Sequence, residues 1–142
     1  MDKKTILLLL FCYLCLSCAE KDKDGDDGCI WKTKVVNVSA YNSVHWQTDE
    51  EPSVAAWGDT LLPGMKAIAV SRDLLDLGLE QGSHVKIQGL DGFYTVMDKM
   101  HSRWKNKIDI YMGTDIAKAR KWGRKKLKIK YRVKRETNTD NE

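Results

Sequence analysis

From residue 34 onward the apolar positions fall in short runs, most of them alternating with polar ones. Residues 34–41 (KVVNVSAY) carry β-branched and aromatic side chains, 66–71 (KAIAVS) are a short apolar run, and 84–88 (HVKIQ) alternate. Gly89-Leu90-Asp91-Gly92 supplies a turn, with Asp-Gly as its signal, and 93–98 (FYTVMD) returns from it. Residues 107–111 (KIDIY) and 126–133 (KLKIKYRV) complete a set of about six strands. Residues 73–79 suit a helical turn or so, stopped by Gly82. Asp115 and Gly123 suit the N-cap and C-cap of a helix over 116–122. Residues 42–62, polar and holding Pro52 and Gly58, read as loop. Many short strands with Gly-marked turns predict a mainly β fold, a small closed barrel with one or two short helices. There is no internal repeat, no phosphate-binding loop and no dinucleotide fingerprint.

The first eighteen residues follow a different pattern. Lys3 and Lys4 precede the apolar run ILLLLFCYLCL, and Ser17-Cys18-Ala19 follows it. A basic start, an apolar stretch and a small residue before the cut describe a secretory signal. The run is shorter than the ~20 residues a spanning helix needs. The Ser-Cys ending resembles a bacterial lipoprotein signal, with Cys18 as the lipidated residue. That resemblance implies a mature chain held at its membrane in the cell envelope, the outer membrane in particular, on the periplasmic or the surface side. Residues 19–29, AEKDKDGDDGC, are charged and Gly-containing and read as a disordered acidic tether. The folded domain is placed at 30–133, and 134–142 reads as a disordered tail.

With 142 residues the chain suits one domain with a modest core. Of its four cysteines, Cys12 and Cys15 fall in the signal and Cys18 would carry lipid. Cys29 alone remains, so no internal disulfide is expected. His45, His84 and His101 lack ligand spacing with one another and read as surface or loop residues, so no metal site is expected.

The net charge is +4, and it is unevenly spread. Lys99 to Arg132 holds thirteen Lys or Arg and two acids, Asp109 and Asp115. Such a face attracts polyanions. A secretion signal argues against nucleic acid and for the anionic polymer outside a bacterial cytoplasm, peptidoglycan with its carboxylate-bearing stems. A solvated basic face without a partner is the plainer alternative.

Residues 35–131 resemble the three-aspartate (3D) domain of the membrane-bound lytic transglycosylase A family and of stationary-phase and resuscitation-type cell-wall proteins. The likeness rests on VSAY (38–41), QTD (47–49), AAWG (55–58) and AIAVS (67–71). It rests further on the strand ending in Asp98, NKIDIYMG (106–113) and Ala119 with Trp122-Gly123. It implies a six-stranded double-psi β-barrel, monomeric, that cuts MurNAc–GlcNAc linkages and leaves a 1,6-anhydro product without metal or organic cofactor. Asp109 would be the acid/base and Asp98 its electrostatic partner. Tyr41, Gln47, Thr48, Asp49 and Trp57 would line the sugar groove, with a plain loop as the alternative for the first four. Two features differ from the family pattern: Ser71 stands where its first aspartate ends the strand, and 99–104 replaces a small Gly-Gly loop.

The residues themselves support part of this. A lytic transglycosylase needs one carboxyl, first as acid to the leaving oxygen and then as base to the muramic 6-hydroxyl. Asp109 lies between Ile108 and Ile110; if the isoleucines face the barrel interior, Asp109 faces a groove. Asp98 would join that groove from the adjacent strand end. Lys99, Arg103 and Trp104 would meet substrate carboxylates and a sugar ring, and Ser71 would stand in the groove, with either Ser71 or Asp73 taking the place of the missing aspartate. Crowding cations favour the ionised acid, so this reading requires Lys99, Arg103, Lys105 and Lys107 to reach outward. Asp98 as a turn cap and Asp109 as a structural hydrogen-bonding group stay open, as do a glycan-binding barrel that recruits other enzymes and a muramidase that uses water.

Overall fold

The computed structural model describes residues 28–44 and 53–135. Six strands form a closed barrel: β1 (Cys29–Tyr41), β2 (Ala67–Val70), β3 (His84–Ile87), β4 (Tyr94–Lys99), β5 (Lys107–Tyr111) and β6 (Lys125–Lys134). Around the barrel they run in the order β1-β5-β2-β4-β3-β6. β1 with β5 and β2 with β4 are parallel pairs, and the other neighbours are antiparallel. The β1–β2 connection must pass over β5, and the β4–β5 connection must pass over β2. These two interlocked crossovers make the barrel a double-psi barrel. The helices are α1 (Arg72–Leu75) and α2 (Ile116–Trp122).

Alternation builds the core. Val36 and Val38 of β1, Ile68 and Val70 of β2, Val85 and Ile87 of β3, Ile108 and Ile110 of β5 and Ile129 of β6 all turn inward and are buried. Leu74 of α1 and Leu79 after it join the same cluster. Each such side chain contributes roughly 1.5–3 kcal/mol through burial. Helix α2 has the caps read from sequence: the Asp115 carboxylate accepts from Lys118 N–H at 2.9 Å, and Gly123 takes φ +68°. Trp122 packs the helix onto the barrel.

Two boundaries differ from the sequence reading. β1 begins at Cys29 and β6 reaches Lys134, and residues 29–34 pair antiparallel with 129–134. The β1 half of this ribbon is partly or fully exposed on both faces, while Ile129 and Tyr131 of β6 stay buried, so that stretch of β1 lacks the clean inward-outward alternation that marks a half-buried strand.

Candidate functional site: a carboxylate row across four strands

Asp109 points outward, as its isoleucine neighbours require. Ile108 and Ile110 are buried and Asp109 is half-buried, with 19% of its side chain exposed. It lies on the wall of an open groove of about 480 Å³ between β1, β5 and α2. Tyr41, Trp104, Lys107, Arg120 and Arg124 also line that groove.

Asp98 reaches the outer surface by a different device. Val96 pairs with Ile68 and Asp98 pairs with Ala69, so Met97 is an extra residue, a β-bulge. Strict alternation from buried Val96 would turn Asp98 into the core; the bulge turns it out. Ala69 is also the register partner of Asp109, which in turn pairs with Ser39. Asp98, Ala69, Asp109 and Ser39 thus form one row across β4, β2, β5 and β1. The sequence reading puts the two acids on adjacent strands; in the barrel β2 lies between them. Two strand spacings put their Cα atoms about 10 Å apart.

Both carboxylates are engaged. Asp98 Oδ1 accepts from the backbone N–H groups of Ala56 and Lys99, both at 2.8 Å. Asp109 Oδ1 accepts from the Ser39 hydroxyl and is 3.2 Å from Lys107 Nζ. Lys107 therefore does not reach outward; it folds back onto Asp109, and its ammonium also lies 4.0 Å from the centroid of Trp104. Two other loop cations rest on indole rings. Lys99 lies over Trp57 at 5.3 Å and Arg103 over Trp104 at 5.2 Å. Trp57 is half-buried and packs against the barrel core, while Trp104 is more exposed and borders the groove.

Tyr41 connects the two acids electrostatically. Its ring tilts against Tyr111, with centroids 5.5 Å apart. Its hydroxyl is buried and has no hydrogen-bond partner of good geometry. Burial first, then the neighbouring Asp98 charge, then Tyr111 and Asp109, and last a weak hydrogen bond toward the Asp98 carboxylate, push the phenol well above its ordinary range. Tyr41 thus stays a neutral donor beside both carboxylates.

Ser71 is a correction. It is fully buried, so it cannot stand in a sugar groove. Its Oγ accepts from Lys107 N–H at 2.9 Å, and its own N–H donates to the Lys107 carbonyl at 2.9 Å. Asp73 does the matching task one residue earlier, accepting from Asn106 N–H at 2.9 Å. Asn106 holds φ +48°, the one non-glycine residue at positive φ among the described residues. Ser71 and Asp73 together fix the turn that launches β5, and with it Asp109. Burial would raise the Asp73 carboxyl, but the bonds from Ser71, Asn106 and its own backbone, and the Lys105 charge, outweigh it and hold the carboxyl below the usual range.

Cys18, His45, Gln47, Thr48 and Asp49 lie outside the described residues. Sequence reasoning did not single out Ser39, Arg120 or Arg124. Ser39 carried a local signal, since it alternates with buried Val38, but its partner Asp109 emerges only from the strand register.

No family model matches the chain, and no curated protein matches it. Among solved structures the chain is similar to the apo form of an expansin from Clavibacter michiganensis. The identity is 14% and the TM-score 0.45, over 75% of this chain and 53% of that one. The chain spans about half the length of that structure.

Proposed function

We propose that the chain is an envelope-anchored lytic transglycosylase of peptidoglycan, held through Cys18, with Asp109 as its acid/base. The observation that carries this reading is the outward-facing Asp109 in an open groove, in register with a second outward carboxylate. In the first step a protonated Asp109 gives its proton to the glycosidic oxygen as the C1–O bond breaks. In the second, the muramic 6-hydroxyl attacks its own C1 and returns its proton to the Asp109 carboxylate. Asp98, one strand beyond Ala69, favours the positive charge that develops at C1, and the buried, neutral Tyr41 hydroxyl acts on the two carboxylates and not on the sugar. Lys107 must leave Asp109 for this to occur, and a carboxylate on the substrate stem is a competing partner of the right charge.

The Lys107–Asp109 pair favours a second reading, a barrel that binds wall glycan without cutting it. One experiment separates them: purified sacculi incubated with the full-length protein or with Asp109→Asn, followed by mass spectrometry. Anhydro-muropeptides from the parent alone establish the first reading. Sedimentation of both proteins with sacculi, with no product from either, establishes the second. Reducing-end products would instead show attack by water.

A further inference from the structure

Strand β6 presents Lys126, Lys128, Lys130, Arg132 and Lys134 away from the core, while Leu127, Ile129, Tyr131 and Val133 pack inward. Alternate residues on a strand stand ~6.8 Å apart, so the row spans about 27 Å. On β3, Lys86 is the register partner of Lys130. Like charges directly opposed destabilise a sheet. Neither β1, β3 nor β6 holds an acid to offset them.

The two ends of this row differ. At one end Trp31 pairs with Arg132 across the β1–β6 ladder. Lys130, Arg132 and Lys86 lie 4.8, 5.3 and 5.9 Å from its ring centroid. Phe93, 42% exposed, stacks beside it at 6.2 Å. A groove of about 420 Å³ runs alongside, with Lys86, Lys128, Lys130 and Gln88 on its walls and Asp91 as its one acid. At the other end Lys126 opens into a groove of about 440 Å³ with Lys105. That groove shares Ser39, Trp104, Lys107 and Arg124 with the groove of Asp109.

We propose that this face is a second binding site, for a linear polymer bearing carboxylates along its length, and that it delivers that polymer to the Asp109 groove. The identity of the polymer as wall glycan with acidic peptide stems rests on the function proposed above. The chemistry favours carboxylates over nucleobases. Cations crowd around Trp31 and leave little open ring face for a base to stack on, so recognition falls to ammonium and guanidinium groups along the row. The charges also repeat in one line, which suits an extended strand and not a compact ligand.

The test uses the full-length protein in detergent, co-sedimented with purified sacculi over a range of ionic strength. The triple substitution Lys128→Gln, Lys130→Gln, Arg132→Gln should weaken binding at least tenfold and make its salt dependence shallower. Sacculi whose carboxylates have been amidated with carbodiimide should lose the same affinity for the parent protein, a measurement that needs no substitution and so survives a variant that melts early. Unchanged binding of the triple variant, or equal binding to amidated sacculi, would overturn the proposal. Stronger binding to polyadenylate than to sacculi at equal salt would overturn it in favour of a nucleic-acid surface. Release of anhydro product from a soluble muropeptide oligomer, read in parallel, separates the two claims. Charge-dependent binding without product overturns the catalytic reading and leaves the track standing; product with unaltered binding of the variant overturns the track alone.

Discussion

Asp98 and Asp109 share one register partner, Ala69, which faces one from β4 and the other from β5. The smallest side chain of the row thus separates its two acids. The arrangement makes their contributions unequal, because Asp109 lines the open groove while Asp98 is tied to the backbone of Ala56 and Lys99. Asp109→Asn should lower anhydro-muropeptide formation by about 10²–10⁴-fold, the usual contribution of a general acid. Asp98→Asn keeps an oxygen for both N–H groups and should cost clearly less. Rates of product release measured by mass spectrometry check both; an Asp98 variant slower than the Asp109 variant would reverse the assignment.

The sequence was most informative where the signal is local. Ile108 and Ile110 bracket Asp109, so its facing followed from period 2 alone. Asp115 and Gly123 bracket α2, and its span followed from its caps. Asp98 was harder. Its direction depends on the bulge at Met97, and no local pattern in YTVMD marks one. That β2 separates the two acids is a property of the crossovers, which short-range pattern does not encode. The roles of Ser71 and Asp73 were hidden for the same reason, since their partners lie more than thirty residues away in the chain. Lys107 folding onto its i+2 neighbour Asp109 was sterically open from the start, yet composition alone gave it no direction.

Ser71→Ala removes the acceptor of the Lys107 N–H inside the barrel wall. An orphaned buried donor costs roughly 1–3 kcal/mol. The melting temperature should fall by several degrees, and activity at a temperature where the variant stays folded should fall with it, because β5 carries Asp109. A variant that melts like the parent would remove Ser71 from the support of the site.

Asp73 sets a pH dependence on stability. Its folded carboxyl titrates below its unfolded value near 3.9, so the ionised form favours the fold. That contribution is whole above the unfolded value and fades as pH falls through the folded one. Asp73→Asn should therefore melt below the parent at pH 6–7, and the gap should close on acidification below about 4. Thermal melts of both proteins across pH 2–7 check it; a gap that is constant with pH would show that the charge is not what matters.

Gly78 takes φ +93°, and a Cβ there would meet Val133 Cγ1 at 2.6 Å. Gly78→Ala faces a left-handed backbone, costing roughly 1–2 kcal/mol, and a crowded contact with β6, costing about 1–3 more unless Val133 turns away. Denaturant unfolding should show a lower midpoint with an unchanged slope. Adding Val133→Ala should recover part of the loss, and a double variant no better than the single one would place the whole cost in the backbone.

Tyr41 offers the sharpest separation of function from stability. Its hydroxyl is buried without a well-formed bond, and Asp98, which it approaches, keeps the Ala56 and Lys99 N–H groups, so its removal leaves no partner stranded. Tyr41→Phe should melt at or above the parent temperature, since a desolvated hydroxyl without a partner is itself a cost. Its proposed role lies with the acids: a neutral hydroxyl buried beside Asp98 and Asp109 fixes their placement for the substrate. Losing that polar contact, worth about 1.4 kcal/mol, should lower anhydro-product formation roughly tenfold. A parallel melt and turnover assay checks both halves. A lower melting temperature with full turnover would make the hydroxyl a structural group, and the two acids would then be placed by their other partners alone.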